Sequence, residues 1–466
     1  MTTADATSSA VELTAAIRSK EISARELLET YLERIDRLDR LDRGGVNAVV
    51  TLDADRAHDA AEAADDALVR GDDLGPLHGL PMTIKDAIIT EGIRSTGGAV
   101  ELADFVPTAD APAVARLKAA GAIVFGKTNL PRWCGDAQTT NDLFGPTNNP
   151  WSFAHVPGGS SGGSAAALAA GLTGAELGTD IGGSVRAPAH CCGVYALKPS
   201  YGVVPNLGYL DHVDGGTTRT DLNTFGPMAR SAGDLELLLS VLAAPAPEDE
   251  LAWRVSLPPS EATSLSGLRV ATWLADDACP VDAEYLGLLR RAADALADAG
   301  AHVAAAHPGV PFRDHVDLYT RLVAAAVSPN MPDGDRISGS HLSWLRNDEE
   351  RVALRARWAE WFADYDVLLM PAWCMPAFEL GHTGGMMERW LDVNGQTRTP
   401  YEISQWLMLV NLVHLPSVMA PIGRTAAGLP VGMQVVAPYL RDRRAVRVAG
   451  LVTEVVGGYE VPPGFE

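Results

Sequence analysis

Cysteine is scarce in this chain: five residues in 466, Cys134, Cys191, Cys192, Cys279 and Cys374, with no Cys-x-x-Cys pair. That scatter excludes a disulfide framework and a thiolate zinc site. Long apolar runs are lacking too, none approaching the roughly 18 residues a membrane helix needs. The opening Met-Thr-Thr-Ala-Asp has neither the basic region nor the apolar stretch of a secretory signal. The expectation is a cytoplasmic protein with no membrane partner. Positive charge is the third shortage. Lysine and arginine number 37 against 59 aspartates and glutamates, a net charge of −22. Such a surface repels phosphate backbones and anionic headgroups, which excludes a general nucleic-acid binder. What is present is 47% apolar with 45 glycines and 30 prolines. That composition can bury a large core and is neither disordered nor collagen-like.

The length allows about three domains, or one large α/β unit. Residues 1–8 are expected to fray. Two capping boxes, Ser9-x-x-Glu12 and Ser23-x-x-Glu26, open helices. In the second, Leu27, Leu28, Tyr31, Leu32, Ile35 and Leu38 fall on one face. Residues 46–52 read as a strand, 53–70 as an alanine-rich helix, and 82–85 as a short apolar segment behind a turn-rich approach. A βα rhythm follows: a helix over 111–120, a buried strand over 122–125, and a loop over 126–163 long enough to be functional. An alanine-rich helix and a strand over 175–178 come next. Residues 243–265 read as a surface connector. Strand 268–273, helix 282–299, strand 301–305, helix 351–362 and strand 367–370 complete the alternation, which argues for α/β with helices on both faces of a sheet.

Two glycine-serine turns carry the chemistry. Gly158-Gly-Ser-Ser-Gly-Gly-Ser164 can be read as a flexible linker, but a buried-looking helix follows it at once. It lacks the lysine of a phosphate loop. Gly158-x-Ser160-x-Gly162 matches the nucleophile elbow literally, yet Ala154-His-Val-Pro157 is a poor central strand to precede one. The second turn is Gly178-Thr-Asp-Ile-Gly-Gly-Ser184-Val-Arg-Ala-Pro188. Ser184 stands where a strand ends and a helix begins, and taken alone it reads as a helix cap. Gly182 and Gly183, lacking Cβ atoms, let backbone N–H groups approach a ligand, and such donors can stabilise an oxyanion. A serine nucleophile needs a base. Lys85, inside Pro81-Met-Thr-Ile-Lys-Asp-Ala-Ile-Ile89, is the best candidate, because burial there disfavours the ammonium. The other reading of Lys85 is a surface lysine or a partner for Asp86.

Together these segments resemble the amidase signature family, and the resemblance covers most of the chain. It rests on Leu77-His-Gly-Leu-Pro-Met-Thr-Ile-Lys-Asp86, Gly126-Lys-Thr-Asn129, Asn148-Asn-Pro-Trp151 and the two serine turns. Asn411-Leu-Val-His-Leu-Pro416 and Gly428-Leu-Pro-Val-Gly-Met-Gln434 extend it toward the C-terminus. The resemblance implies a single large α/β domain with a central twisted mixed sheet flanked by helices. Residues 1–70 would be a helical segment packing on a core of residues 71–466, with a more variable insertion at about 250–400.

For the site, the resemblance implies a Ser-cisSer-Lys triad. Ser184 is the nucleophile, Ser160 the bridging serine after a cis bond from Gly159, and Lys85 the base. The N–H groups of Ile181, Gly182, Gly183 and Ser184 would hold the oxyanion, with Asp180 and Arg186 bracing the turn. No metal or cofactor is implied. Trp133, Cys134 and Gly135 are pocket candidates by position. Trp373, Met375, Met386, Met387 and Trp390 read as core, or else as a lid. The chain departs from the family in having Leu130-Pro-Arg-Trp-Cys134 where an acidic residue is common, and His414 where a small one is. The expected activity is hydrolysis of small-molecule amides, with esters and carbamates sharing the intermediate, by a monomer or homodimer. The alternatives are an amidotransferase component that supplies ammonia to glutamyl-tRNA with a partner, and an inactive scaffold.

Overall fold

The computed structural model describes residues 4–72, 74–210, 216–331 and 333–466. Eleven strands form one sheet: β1 (Val49–Leu52), β2 (Pro81–Lys85), β3 (Ile123–Thr128), β4 (Glu176–Asp180), β5 (Tyr195–Lys198), β6 (Thr224–Ala229), β7 (Arg269–Thr272), β8 (His302–Ala305), β9 (Val367–Pro371), β10 (Ser417–Arg424) and β11 (Pro430–Val436). Their spatial order is β1-β3-β2-β4-β6-β5-β10-β11-β9-β7-β8. β3, β2 and β4 run parallel, as do β9, β7 and β8, while the strands between are antiparallel. The sheet is therefore mixed, and helices flank it as the alternation predicts. Residues 1–70 are not only helical: β1 joins the sheet as an edge strand on β3.

Both capping boxes form. Ser9 and Glu12 open α1 (Ala10–Arg18), and Ser23 and Glu26 open α2 (Ala24–Leu38). The expected fraying of residues 1–8 falls in part on residues 1–3, outside the described set. Within the rest, Asp5 Oδ1 accepts from the Thr7 and Ser8 N–H groups at 2.7 and 3.1 Å, and Ala6 is buried. The helix expected at 53–70 is α3 (Ala54–Arg70), followed by α4 (Pro112–Ala119).

The alanine-rich α5 (Gly162–Ala169) is buried at every position, as a helix enclosed by its neighbours must be. It packs beside α6 (Arg186–Cys192) and on β2, β3, β4 and β6. The two serine turns open these two central helices, so the core of the molecule fixes their positions. Farther along, β7, α7 (Ala283–Asp298) and β8 make a parallel βαβ unit. α8 (Phe312–Val327) and α9 (His341–Trp361) then bring the insertion against α10 (Gln405–Leu412).

Candidate active site

Lys85 ends β2 with its side chain fully buried. Its Nζ donates to Ser160 Oγ at 2.6 Å and to Thr179 Oγ1 at 2.8 Å. Among the described residues it pairs with no carboxylate, so neither the surface reading nor the Asp86 reading holds. Burial holds its ammonium below the usual lysine range, opposed in part by the neighbouring Cys134 thiol and by Asp180 and Glu176. Ser160 is fully buried, and the Gly159–Ser160 peptide bond is cis. Gly159 is required by a close approach: a Cβ there would lie 2.3 Å from the Asp136 carbonyl oxygen.

The second turn lies against the first. The Ser161 N–H donates to the Ser184 carbonyl at 3.0 Å. Ser184 itself is half-buried in front of α6, whose N-cap is Val185 with no side-chain capping bond, so Ser184 is not a helix cap. Asp180 and Arg186 are both fully buried and hold the turn from behind. Asp180 accepts from Arg186 Nε and Nη2 at 3.0 and 2.9 Å, and from the Gly183 and Val185 N–H groups at 2.8 and 3.2 Å. Burial alone would raise the Asp180 pKa. The Arg186 charge and the hydrogen bonds from Arg186 and Asn411 outweigh it and hold the carboxyl well below the usual carboxylate range. Arg186 also donates to Gln434 Oε1 at 2.6 Å, Asn411 Oδ1 at 2.5 Å and the Leu407 carbonyl at 3.1 Å.

One expectation is corrected here. The Gly183 N–H is already committed to Asp180 and is not a free donor. The N–H groups of Ile181, Gly182 and Ser184 donate to no other group among the described residues. Gly183 serves the turn differently: its φ is +120°, and a Cβ would lie 2.4 Å from Leu407 Cδ1. Gly183→Ala is therefore expected to cost about 1–3 kcal/mol through overpacking, read as a lower denaturation midpoint. An unchanged midpoint would show that the turn is free to shift.

Of the pocket candidates, Cys134 lies beside Lys85. Trp133 is half-buried, and its N–H donates to the Gly97 carbonyl at 2.8 Å. Gly135 is exposed. Both Trp133 and Cys134 have positive φ, 51° and 57°. The lid candidates divide. Trp373 is core, stacked on Phe378 at 5.5 Å. Met375 and Met386 are half-buried, and Met387 and Trp390 are 62% and 61% exposed.

Sequence reasoning missed four contributors. Thr179 lies inside the second motif, and its position two residues before Ile181 is the available clue. Asn411 and Gln434 belong to the C-terminal segments but carry no evident role there. Tyr319, whose hydroxyl donates to the Ile181 carbonyl at 3.1 Å, has no local clue at all. Among the described residues, no three His, Cys, Asp or Glu side chains are grouped to hold a metal, and no helix is long and apolar enough to cross a membrane.

Comparison with known proteins agrees with this architecture. Residues 26–339 and 336–446 match the Amidase family. The chain belongs to that family, the amidase signature enzymes, and is an amidohydrolase. It is 33% identical to an acylamidase of Rhodococcus erythropolis, over 95% of this chain and 94% of that protein. It is 32% identical to a glutamyl-tRNA(Gln) amidotransferase subunit of Synechococcus sp. (strain CC9605), over 93% of each chain. The crystal structure of a bacterial aryl acylamidase superposes with a TM-score of 0.85 at 27% identity, covering 98% of both chains.

Proposed function

We propose that the chain hydrolyses the C–N bond of small-molecule amides, aryl or acyl, through an acyl-enzyme on Ser184, with Ser160 and Lys85 relaying protons. The observation that carries this reading is the 2.6 Å contact between a fully buried Lys85 Nζ and Ser160 Oγ, next to a turn whose Ser184 reaches the surface. Serine alone is a weak nucleophile. Burial disfavours the Lys85 ammonium, and in its neutral form the lysine is a base that takes the Ser160 hydroxyl proton along that same contact.

The steps balance with water alone. As Ser184 Oγ bonds to the carbonyl carbon, its proton passes to Ser160 Oγ, and the Ser160 proton passes to Lys85 Nζ. The carbonyl π pair moves to oxygen, where the N–H groups of Ile181, Gly182 and Ser184 are free to donate. On collapse the C–N bond breaks, and the leaving nitrogen takes a proton from Ser160, which regains one from Lys85. Water then adds to the acyl-enzyme by the same relay, and the acid departs as Ser184 Oγ recovers its proton. Asp180 and Arg186 touch no reacting atom and act as supports for the turn. Trp133, Cys134 and Gly135 border the acyl or leaving-group side. Esters and carbamates pass through the same tetrahedral centre.

A second reading, an amidotransferase component that needs a partner, is favoured by the 32% identity to the Synechococcus protein. The net charge of −22 counts against close work on tRNA. The experiment is to offer the purified chain anilide, primary amide, ester and carbamate substrates with no other protein present. Turnover of an anilide or primary amide is the expected result. Turnover that appears only after a partner protein is added would move the assignment to the amidotransferase reading.

A further inference from the structure

Behind the relay lies a second group of buried ionisable side chains that the chemistry above does not use. Glu176 begins β4 fully buried, in register with Thr83 on β2 and Met228 on β6. Alternation along a strand puts Thr83 and Lys85 on one face of β2, so Glu176 lies one strand over and two residues back, roughly 7 Å along the strand. Its carboxyl leans toward the lysine's row. It accepts from Thr83 Oγ1, and at 3.4 Å from Thr128 Oγ1, and Thr128 is the β3 residue in register with Lys85. Thr128 Oγ1 in turn meets Ser164 Oγ of α5 at 2.9 Å.

We propose that Glu176 is a positioning residue for the proton relay: its carboxylate, when ionised, holds the proton on Lys85, so that Glu176 governs the pH at which the base becomes free. The inference rests on the reading of Lys85 as the base. Burial pushes Glu176 up to about 7, while hydrogen bonds from Thr83, Ser164 and Thr128 and the Lys127 charge pull the other way. The carboxyl thus changes charge near neutrality, where a base must work. The groups facing Lys85 are Ser160, Cys134 of the 132–134 turn, and Thr179, Asp180 and Glu176 of β4. The charge of Lys127 on β3 also acts on Glu176, although that side chain turns to the other face of its strand, where it donates to Thr90 and Ser95 and burial holds it down at about 8. Asp86, pushed up to about 6 by burial, is turned away onto Thr96.

The sign follows from Coulomb's law. An ionised Glu176 favours lysine's charged form and raises its pKa; a neutral group at the same place lets the amine go free at lower pH. Glu176→Gln keeps the volume and can still accept from Thr83. It is expected to move the acid limb of the kcat/KM–pH profile down by about one and a half pH units, the size of one charge at about 8 Å in an effective dielectric near 20. Glu176→Asp, which keeps a titratable carboxyl, should leave the limb close to its wild-type position. Thr83→Val removes a hydrogen bond that favours the ionised carboxyl, so it should move the limb in the same direction as Glu176→Gln by a smaller step. It decides the question if Glu176→Gln does not fold. An acid limb unmoved in folded Glu176→Gln, or in Thr83→Val where Glu176→Gln does not fold, overturns the inference. Lys85→Ala is measured alongside: activity surviving there would overturn the relay itself, whereas an inactive Lys85→Ala with an unmoved limb overturns only the role of Glu176.

Discussion

Ser184→Ala is expected to lower kcat/KM on an amide substrate by about 10⁴- to 10⁶-fold, the loss typical when a nucleophile acting within a catalytic unit is removed. Alanine removes one oxygen from a half-buried position and leaves the Ser161 bond to the residue-184 carbonyl in place, so folding should be unaffected. Lys85→Ala should lose nearly as much, because Ser160 is then left without the base 2.6 Å away. The double variant should be no worse than Ser184→Ala, since groups that act as a unit do not add. Steady-state kinetics on the three proteins checks this, with the melting temperature as a control for folding. Activity within tenfold of wild type in either single variant contradicts the triad.

Arg186→Met should show the largest loss of stability, about 3–5 kcal/mol, because it strips the partner from a buried carboxylate. Asp180 is 0% exposed and would face the interior as an unpaired charge, while Asn411 and Gln434 would lose the guanidinium that joins them. For a chain of 466 residues, thermal unfolding should show a fall in Tm of about 3–5 °C. Combining Asp180→Asn with Arg186→Met should cost less than the sum of the two, because the second change removes the charge that the first orphaned. A melting temperature unchanged in Arg186→Met would mean that the pair contributes nothing to the turn. The same variant should lose activity as well, since the Gly183 and Val185 N–H groups are both fixed by Asp180.

The parts of the molecule legible in sequence are those whose causes are local. The capping boxes at Ser9 and Ser23 depend on contacts three residues apart, and both form. The second glycine-serine turn announces itself because strand, turn and helix follow within about ten residues, and the first because a buried helix follows it at once. Lys85 is legible because an ammonium in an apolar run asks for a reason. Causes lying far away in sequence stay hidden. Gln434 and Asn411 reach Arg186 across 248 and 225 residues, and Tyr319 comes from a helix in the insertion to touch Ile181.

Polarity also misleads. Gly126, Lys127 and Thr128 read as the start of a loop, yet they complete β3 in the core. Lys127 is satisfied there by the Ile88 carbonyl, Thr90 and Ser95, and Thr128 by Ser164. The helix expected from residue 351 begins at His341, where Ser340 accepts from the Ser343 N–H without the glutamate that would mark a capping box. The direction of the Gly183 N–H is beyond the sequence too, because it shares Asp180 Oδ1 with Arg186 Nη2 in a turn whose shape the buried ion pair sets.

The most direct test of the Ser184 nucleophile is covalent labelling with a fluorophosphonate, read by intact mass and peptide mapping. The reagent transfers its phosphonyl group to an activated serine: the oxygen–phosphorus bond forms and fluoride leaves. The triad predicts a single label on Ser184, absent in Ser184→Ala and greatly slowed in Lys85→Ala. A wild-type protein that takes no label, or takes it on Ser160 or elsewhere while Ser184 stays free, would contradict it.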